Sequence, residues 1–381
     1  MVRILFLNYE YPPLGGGAGN ATYYILKELA KNPDLQIDLV TSSVGKYKTE
    51  KISPNVAVHY LDIGKTGDPH YQKIKDLIYY SIRSYFYAKD LIRKNKYDLI
   101  HAFFGIPCGF IAMLLGLPYI VSLRGSDVPG YNERFRLFDR IFLKTISRRV
   151  WKKAQIVTAL SQDLLNLARF TDKDKKIEVI YNGINTDEFY PDEIALNKEK
   201  NFNILFVGRL IKRKGLIYLL DAFINLQKVH PHIRLIVAGS GPLMDCFKNY
   251  CIKNNISEKV NFLGVLGHKE LNKVYQKSHV FVISSLNEAL GNVTLEALAV
   301  GLPVITTKTG AAELISDNGI IVEKGSSAQI AQALEKLIND ESLRKNMGAK
   351  SRRIALGMGW HNVASKYLKI YETIARKNEN K

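Results

Sequence analysis

Two acidic residues eight positions apart, Glu288 and Glu296, flank the predicted start of a helix within the stretch 281–315. An apolar strand pattern precedes them, and the helix begins near Gly291 and Asn292. The free N–H groups and the positive dipole end at a helix start suit a phosphate or a polar sugar group. Two carboxylates beside such a terminus can accept hydrogen bonds from sugar hydroxyls. Glu296 taken alone could equally be a solvated helix residue.

Two basic residues, Arg209 and Lys214, directly follow a second apolar strand pattern at 204–207. Arginine can hold phosphate oxygens with two parallel hydrogen bonds, and lysine supplies a compact positive charge. A diphosphate gains negative charge as it leaves a breaking glycosidic bond, and two fixed cations could stabilise that charge without a metal. The alternative is a solvated basic patch, to which Lys212 and Arg213 would also belong.

Glycines follow several of the predicted strands, at Gly16 and Gly17 after the first strand and at Gly239, Gly241 and Gly264 after later ones. Glycine permits positive φ angles and a close backbone approach to a bound group. The first cluster does not have the GxGxxG spacing of dinucleotide-binding loops. It could instead contact a donor phosphate or an acceptor, or form a tight structural turn. The later glycines could lie against a nucleobase and ribose.

Three polar residues at strand ends of the N-terminal half could face an acceptor: His101, Arg124 and Asp127. A single histidine at the end of a strand is often a core or capping residue instead. Asp172 and Asp174 form an Asp-x-Asp pattern, but the surrounding charged turn favours a solvated loop, so we expect no metal and no cofactor.

Length and composition indicate a two-domain protein, because 381 residues exceed one ordinary domain and 46% of them are hydrophobic, which is enough for two cores. The three cysteines are odd in number and lack metal-binding spacing, which favours a cytoplasmic location. The uncharged stretch 102–123 is long enough to span a bilayer, but its glycines and prolines favour a loop, a short buried helix and a strand.

Strand and helix patterns alternate along the chain, which predicts an α/β protein with parallel sheets. The polar stretch 187–203 reads as a linker between two doubly wound domains. We therefore predict an N-terminal domain at 1–190, a C-terminal domain at 191–360 and a terminal helix at 361–381. Ligands of such sheets bind beyond the carboxyl ends of the strands, here in a cleft between the domains.

The net charge of +18 is large, and the segment 134–153 holds eight basic residues and one acidic residue. In a helical projection, its phenylalanines fall on one side and four of its basic residues fall on the other. Such a helix could dock on anionic lipid or could be a solvated surface helix. We expect no nucleic-acid partner, because no nucleic-acid-binding module is evident and phosphate chemistry gives the basic residues another use.

In order along the chain, the motifs PPLGGGAG, HAFFGIP, RGSD, IYNGIN, VGRLIKRKG, VAGSGP, FLGVL and the Glu-x7-Glu block resemble the family 4 retaining glycosyltransferases. The resemblance covers nearly the whole chain. It implies the GT-B fold, in which two Rossmann-like doubly wound domains face each other across a cleft and a terminal helix returns to the first domain. It also implies sugar transfer from a nucleotide diphosphate sugar, expected to be a UDP-sugar, to a glycan or lipid-linked acceptor. Transfer would retain the anomeric configuration and need no metal.

The same resemblance implies specific roles for the residues that match the motifs. Arg209 and Lys214 would bind the diphosphate, Glu288 the donor sugar and Glu296 the ribose. The donor contacts would also include Leu290, Gly291, Asn292 and Val293, with Gly16 and Gly17 beside the β-phosphate and the acceptor.

Two departures from the family pattern concern the acceptor side. Phe103 stands where many members carry a histidine, and Arg124-Gly125 replaces a frequent His-Gly pair. Arg124 could therefore hold an anionic acceptor.

Two other functional classes remain open at this stage. The first is a nucleotide-sugar epimerase, which shares this architecture, although the carboxylate pair expected of it is not evident. The second is a catalytically silent nucleotide-sugar-binding subunit, against which the intact set of Arg209, Lys214, Glu288 and Glu296 argues.

Overall fold

In a computed structural model, which describes residues 1–66, 72–131 and 143–379, the chain forms two compact units. The first runs from Met1 to Gly183 and also includes the chain from Trp360 onward. The second unit is Ile184–Gly359. Both have the predicted α/β architecture, with apolar strands that are buried on both faces of a largely parallel sheet.

The first unit is built on an eight-stranded sheet in the order β3-β4-β2-β1-β5-β6-β7-β8. Among the strands of this sheet that the structure describes, only β3 is antiparallel to its neighbour. The strands are β1 (Val2–Leu7), β2 (Leu35–Ser43), β3 (Lys48–Ser53), β4 (Val56–Asp62), β5 (Leu99–Phe103), β6 (Tyr119–Leu123), β7 (Ile156–Ala159) and β8 (Ile177–Val179). The described helices are α1 (Gly17–Leu29), α2 (Ile74–Lys94), α3 (Phe110–Leu115), α4 (Lys144–Lys153), α5 (Gln162–Arg169) and the terminal α13 (Trp360–Glu379).

The second unit is built on a six-stranded parallel sheet in the order β11-β10-β9-β12-β13-β14. The strands are β9 (Phe202–Val207), β10 (Ile233–Ala238), β11 (Val260–Gly264), β12 (Val280–Ile283), β13 (Val304–Thr307) and β14 (Gly319–Val322). The helices are α6 (Glu193–Asn197), α7 (Leu216–Val229), α8 (Met244–Lys253), α9 (His268–Gln276), α10 (Asn292–Ala299), α11 (Ser327–Asn339) and α12 (Glu341–Leu356).

Each sheet has a topological switch point, where the chain leaves two neighbouring parallel strands in opposite directions. In the first sheet it lies between β1 and β5, and in the second between β9 and β12. The connecting segments diverge there, which leaves space for a ligand beyond the carboxyl ends of the two strands. The predicted donor-binding residues Arg209, Lys214 and Glu288 follow β9 and β12.

The terminal helix α13 packs on the first sheet and closes its core with polar contacts. The Tyr371 hydroxyl lies 2.7 Å from His101 Nδ1, and Ser122 Oγ lies 2.8 Å from His101 Nε2. The Tyr367 hydroxyl lies 3.0 Å from Ser122 Oγ. Because these side chains are buried, their hydrogen bonds satisfy polar groups that water cannot reach.

Four details differ from the sequence-based expectations. Strand β3 is not apparent from the sequence because its residues are polar and exposed, as is common at a sheet edge. Helix α1 begins at Gly17 instead of near residue 20, and the predicted linker contains the short helix α6. The boundary between the units falls after Gly183, because the Ile184 N–H already donates to Met358 O within the second unit.

The uncharged stretch 102–123 forms the end of β5, a turn, helix α3 and strand β6, as predicted. Among the described residues, no helix combines the length and the apolar character needed to cross a bilayer.

We predict that Tyr371→Phe lowers the free energy of unfolding by about 1–3 kcal/mol, because it leaves the buried His101 Nδ1 without a partner. Chemical denaturation followed by circular dichroism measures the effect. The matched control is Tyr79→Phe, which removes the same hydroxyl from an exposed position of α2. Equal stability of the two variants would contradict the structural role of this contact.

Candidate active site

The loops that follow β9 and β12 are joined by one backbone hydrogen bond and by one hydrogen bond from the Arg213 side chain. The Leu286 N–H donates to Arg213 O at 2.8 Å, and Arg213 Nη1 donates to Asn287 O at 2.8 Å. Gly215 has a φ of +65°, and a Cβ atom there would overlap the Ser284 carbonyl oxygen. A glycine is therefore required where the first loop turns into helix α7 beside the end of β12.

Lys214 and Glu288 form an ion pair between these two loops, with side chains that are only 14% and 10% exposed. Burial alone would raise the pKa of the Glu288 carboxyl. The positive charges of Lys214, Arg213 and Arg209 outweigh that effect and hold the pKa below its usual value. Glu288 is thus a carboxylate at neutral pH, and it fixes the ammonium group of Lys214 at the carboxyl end of the sheet.

The Arg209 side chain is exposed, like that of Lys212, and it has no hydrogen bond or ion pair within the described part of the chain. It is nevertheless close enough to lower the pKa of Glu288. Arg213, in contrast, is engaged with the backbone of the β12 loop. The structure therefore places Arg209 near the Lys214–Glu288 pair and leaves it accessible to an anion. The role of these three residues in donor binding stays a prediction.

Helix α10 begins at Asn292, four residues after Glu288. Gly291 has a φ of +77°, which favours glycine, and a Cβ atom there would make a tight contact of 3.2 Å with Glu288 Cγ. Leu290 is buried, whereas Asn292 and Val293 at the first positions of α10 are partly exposed. These positions place the first N–H groups of α10 close to Glu288.

Glu296 lies one turn into α10 and receives a hydrogen bond from the Tyr275 hydroxyl at 3.0 Å. The same hydroxyl lies 3.1 Å from Val293 O. Burial raises the pKa of Glu296 above its usual value, and the hydrogen bond from Tyr275 opposes that shift only in part. Glu296 is therefore not the solvated helix residue of the alternative interpretation.

Two of the glycines predicted to approach a ligand are also required by packing within the second unit. A Cβ atom on Gly239 would overlap the Gly208 carbonyl oxygen, and one on Gly241 would lie 2.6 Å from the Leu210 carbonyl oxygen. Gly264 accepts a hydrogen bond from the Gly239 N–H at 2.6 Å, and a Cβ atom on Gly264 would have no neighbour within 4 Å. These backbone contacts hold the ends of β9, β10 and β11 together.

In the first unit, Gly16 and Gly17 are exposed at the start of α1. The Gly16 N–H donates to the Glu10 carboxylate at 3.1 Å, and a Cβ atom on Gly15 would clash with the Glu10 side chain. The Glu10 carboxylate thus lies at the N-terminus of α1 and accepts a hydrogen bond from the N–H group of Gly16, the residue that precedes the helix.

His101 does not face an acceptor, and the predicted orientation is wrong. It is fully buried, and Tyr371 and Ser122 occupy its two ring nitrogens. Burial holds the pKa of His101 well below its usual value, with a smaller contribution from the charge of Arg124. The histidine is a neutral core residue because the terminal helix covers the end of β5.

Asp127 caps the loop that follows β6. Its carboxylate accepts hydrogen bonds from the N–H groups of Gly105, Arg124 and Gly125 at 2.6, 2.9 and 3.0 Å. Burial raises its pKa, although these hydrogen bonds oppose the shift. Both carboxylate oxygens of Asp127 thus accept hydrogen bonds from backbone N–H groups, and the residue stabilises the loop.

Arg124 is also largely buried. It donates to Asn182 Oδ1 at 2.9 Å and lies over the Phe103 ring at 5.1 Å from the centroid. Burial lowers the pKa of its guanidinium. Its proposed contact with an anionic acceptor stays a prediction, which would require these contacts to rearrange.

Sequence reasoning did not single out Glu10, Tyr275 or the structural role of Arg213. Each acts through a contact between residues far apart in the chain or between a side chain and a backbone group. No local pattern signals such a contact.

Among the residues that the structure describes, no group of three or more His, Cys, Asp or Glu side chains is arranged to hold a metal ion. Asp172 instead accepts hydrogen bonds from the N–H groups of Asp174 and Lys175 in its own turn.

The basic segment 134–153 is described only from residue 143 onward. Within helix α4, Val150 and Trp151 are buried. Arg148 donates two hydrogen bonds to Thr171 O at 3.0 and 2.8 Å, so it is engaged within the first unit. The residues 134–142 of the predicted basic helix lie outside the described part of the chain.

We predict that Glu288→Gln lowers the melting temperature at neutral pH, because it leaves the partly buried Lys214 without its counter-ion. The folded-state pKa of Glu288 is depressed, so its ionisation stabilises the protein above the ordinary glutamate pKa. That contribution is lost as the pH falls through the lower folded-state value. The difference in melting temperature between wild type and variant should therefore become smaller below about pH 4.3.

Differential scanning calorimetry across a pH series measures this gap. Glu335→Gln, at an exposed position of α11, is the control and should leave the melting temperature unchanged. A wild-type-to-variant gap that persists undiminished at the acid end would count against the ionised pair.

Comparisons with known proteins identify the family to which the chain belongs. A family model described as Glycosyltransferase Family 4 matches residues 15–188, and one described as Glycosyl transferases group 1 matches residues 188–354. The capsular polysaccharide biosynthesis glycosyltransferase CapM of Staphylococcus aureus is 31% identical over 296 residues, which cover 68% of this chain and 70% of that protein.

Two further relatives match over nearly their full length. An uncharacterized glycosyltransferase of Methanocaldococcus jannaschii is 27% identical over 98% of this chain and 99% of its own. The Campylobacter jejuni N-acetylgalactosamine-N,N'-diacetylbacillosaminyl-diphospho-undecaprenol 4-alpha-N-acetylgalactosaminyltransferase is 26% identical over 93% of this chain and 95% of its own.

Solved structures share the fold at lower sequence identity. Sucrose-phosphate synthase from Thermosynechococcus elongatus superposes with a TM-score of 0.85 at 21% identity, over 98% of this chain and 99% of that one. The Anabaena protein HepE, solved in complex with UDP and glucose, gives a TM-score of 0.77 at 19% identity, over 98% of this chain and 100% of that one. The chain therefore belongs to the family 4 glycosyltransferases of the GT-B fold, and it is a glycosyltransferase.

Proposed function

We propose that this glycosyltransferase moves a hexosyl group from a UDP-sugar to a glycan or lipid-linked acceptor, with retention of the anomeric configuration and without a metal. The observation that carries the proposal is the Lys214–Glu288 pair beside Arg209. It lies at the carboxyl ends of β9 and β12, directly before helix α10. A cation fixed by a carboxylate, with a free guanidinium nearby, is suited to an anionic leaving group.

The proposed mechanism uses Arg209 and Lys214 to stabilise the departing UDP. The bond between the anomeric carbon and the phosphate oxygen breaks, and its electron pair leaves with the diphosphate. The acceptor oxygen forms the new bond on the same face of the sugar, and its proton passes to an oxygen of the leaving phosphate. Glu288 holds Lys214 in position and contacts the donor sugar, while Glu296 contacts the ribose.

A UDP donor is supported by one structural relative, because the Anabaena HepE protein was solved in complex with UDP-glucose. A lipid-linked acceptor is supported by the name of the Campylobacter jejuni relative, which includes diphospho-undecaprenol. A glycan acceptor is supported by the capsular polysaccharide relative. The cysteines Cys108, Cys246 and Cys251 are free, which fits the proposed cytoplasmic location.

The acceptor proposal retains Arg124 as a ligand for an anionic acceptor, and it retains Gly16 and Gly17 beside the donor phosphate and the acceptor. The proposal also retains contact of the segment 134–153 with an anionic membrane surface, as a peripheral interaction. Neither His101 nor Asp127 is part of it, because both are engaged inside the first unit.

We expect Lys214→Ala and Glu288→Ala each to lower kcat/KM by about 10²–10³, because each removes a preorganised charge or its support. The matched control is Lys212→Ala, an exposed lysine in the same 3-10 turn, which should stay within about threefold of wild type. Release of UDP from UDP-sugars, across a panel of acceptors, measures the rate. Near-normal turnover by both variants, with circular dichroism showing intact folding, would overturn the site assignment.

The nucleotide is tested by thermal shift with UDP, GDP and ADP. UDP at about one hundred times its Kd should stabilise the protein by about 2.7 kcal/mol, whereas GDP and ADP should give smaller shifts. Arg209→Ala should reduce the shift caused by UDP and leave the melting temperature without nucleotide unchanged, because Arg209 is exposed and unpaired among the described residues. A larger shift with GDP or ADP would reject the UDP assignment.

Product analysis separates the other functional classes and the stereochemistry. NMR of the product should show the anomeric configuration of the donor, and EDTA should leave the rate unchanged. An epimer of the donor sugar formed without acceptor would indicate an epimerase. UDP binding without UDP release, for any donor and acceptor, would indicate a silent binding subunit.

A further inference from the structure

Helix α2 (Ile74–Lys94) carries a row of large apolar side chains on its outer face. Ile74, Ile78, Ile82 and Phe86 follow one another at intervals of four residues and are 58%, 54%, 53% and 65% exposed. This spacing aligns them along about 18 Å of one side of the helix. A surface helix of a globular protein ordinarily presents polar residues there, so the apolar row is unusual.

The rotation of α2 is fixed by its opposite face. Asp76, Tyr80, Ser84 and Ala88 are buried against the first unit, and the Tyr80 hydroxyl donates to Val40 O at 3.0 Å. Because these residues also repeat every fourth position, the row Ile74–Phe86 cannot turn inward without exposing the buried face. The apolar row therefore faces away from the core of the unit.

Basic residues accompany the row. Lys75, Lys89 and Arg93 are exposed and project to the same outer side, since they lie within about 60° of Ile82 in a helical projection. Helix α2 has two acidic residues: Asp76 is buried, and Asp90 pairs with Lys94 at 2.7 Å. Asp90 follows Phe86 at the next fourth position, where Lys94 neutralises its charge. The outer face thus combines apolar and positively charged side chains.

A tyrosine also lies beside this face. Tyr79 is half-exposed next to the row. Tyrosine has an apolar ring and a polar hydroxyl, and it is enriched where one end of a side chain meets hydrocarbon and the other meets water.

We infer that the outer face of α2 docks the protein on an anionic lipid bilayer. Isoleucine and phenylalanine would enter the boundary between headgroups and acyl chains, and Lys75, Lys89 and Arg93 would contact anionic headgroups. The charge on the face selects this occupant over a second copy of the chain. Two such faces brought together would place lysine and arginine against lysine and arginine, which opposes association.

This docking surface is separate from the chemistry of sugar transfer and from the segment 134–153. It lies on a different helix, and binding to vesicles can be measured without donor or acceptor. Failure of lipid binding would therefore leave the proposed reaction untouched, and failure of the reaction would leave the docking surface testable.

The experiment is co-sedimentation of the full chain with vesicles of phosphatidylcholine alone and with about 30% phosphatidylglycerol. We expect binding to the anionic vesicles and weak binding to the neutral ones. The triple variant Ile78→Gln, Ile82→Gln, Phe86→Gln should reduce the partition coefficient at least about tenfold. Its matched control replaces three exposed apolar residues elsewhere, Phe170→Gln, Ile194→Gln and Val229→Gln, and should bind like wild type.

A second pair of variants tests the charges. Lys75→Gln, Lys89→Gln and Arg93→Gln together should weaken binding by about fivefold per residue, because each basic residue near the surface contributes about 1 kcal/mol. The matched control is Lys228→Gln, Lys248→Gln and Lys253→Gln, three exposed lysines of the second unit. It makes the same change in net charge and should have a much smaller effect.

Three results would overturn the inference. Equal sedimentation of wild type and the apolar triple variant, with matching melting temperatures, would exclude the α2 face. Loss of binding only in Arg149→Gln, Lys152→Gln, Lys153→Gln would assign membrane contact to α4 instead. A dimer in analytical ultracentrifugation that the apolar triple variant dissociates, without vesicle binding by wild type, would assign the face to protein association.

Discussion

The ion pair between Lys214 and Glu288 is the constraint on which the candidate site depends. Both groups are largely removed from water, and a charge left in such a position without its partner is costly. The loops after β9 and β12 must therefore approach each other. Two hydrogen bonds hold them in that arrangement: the Leu286 N–H donates to the Arg213 carbonyl, and the Arg213 guanidinium donates to the Asn287 carbonyl. The side chain of Arg209 is exposed near this pair. The need to pair the buried charge of Glu288 with Lys214 thus places positive side chains at the carboxyl end of the sheet.

Close backbone contacts make this arrangement rigid. Gly215 accommodates the Ser284 carbonyl, Gly239 accommodates Gly208, and Gly291 accommodates the side chain of Glu288. Each of these glycines has a positive φ angle, so the absence of a Cβ serves both the turn and the packing. A scaffold that holds its charges with little freedom loses less entropy when a ligand binds. The glycines at the strand ends therefore have a structural role, which is to let the loops around the candidate site pack closely.

The first unit uses its polar residues differently. His101, Ser122 and the tyrosines of α13 form a buried network that attaches the end of the chain to the sheet. Asp127 binds three backbone N–H groups, and Arg124 lies on Phe103. These residues hold the strand-end loops in shape. The polar groups inside the first unit are hydrogen-bonded to one another. On its surface, in contrast, helix α2 exposes a face of apolar and basic side chains.

The α/β class, nearly all strands and the positions of Glu288 and Arg209 follow from the sequence alone, because buried parallel strands read as short apolar runs and ligand-binding residues follow them. Local patterns also place helix α10 after Gly291. The polar edge strand β3 and the burial of His101 are decided by tertiary structure. A strand-end histidine has the same local sequence whether it faces solvent or lies beneath a helix that begins more than 250 residues later. Only the return of α13 to the first sheet determines which of the two occurs, since that contact depends on distance in space and not on distance along the chain.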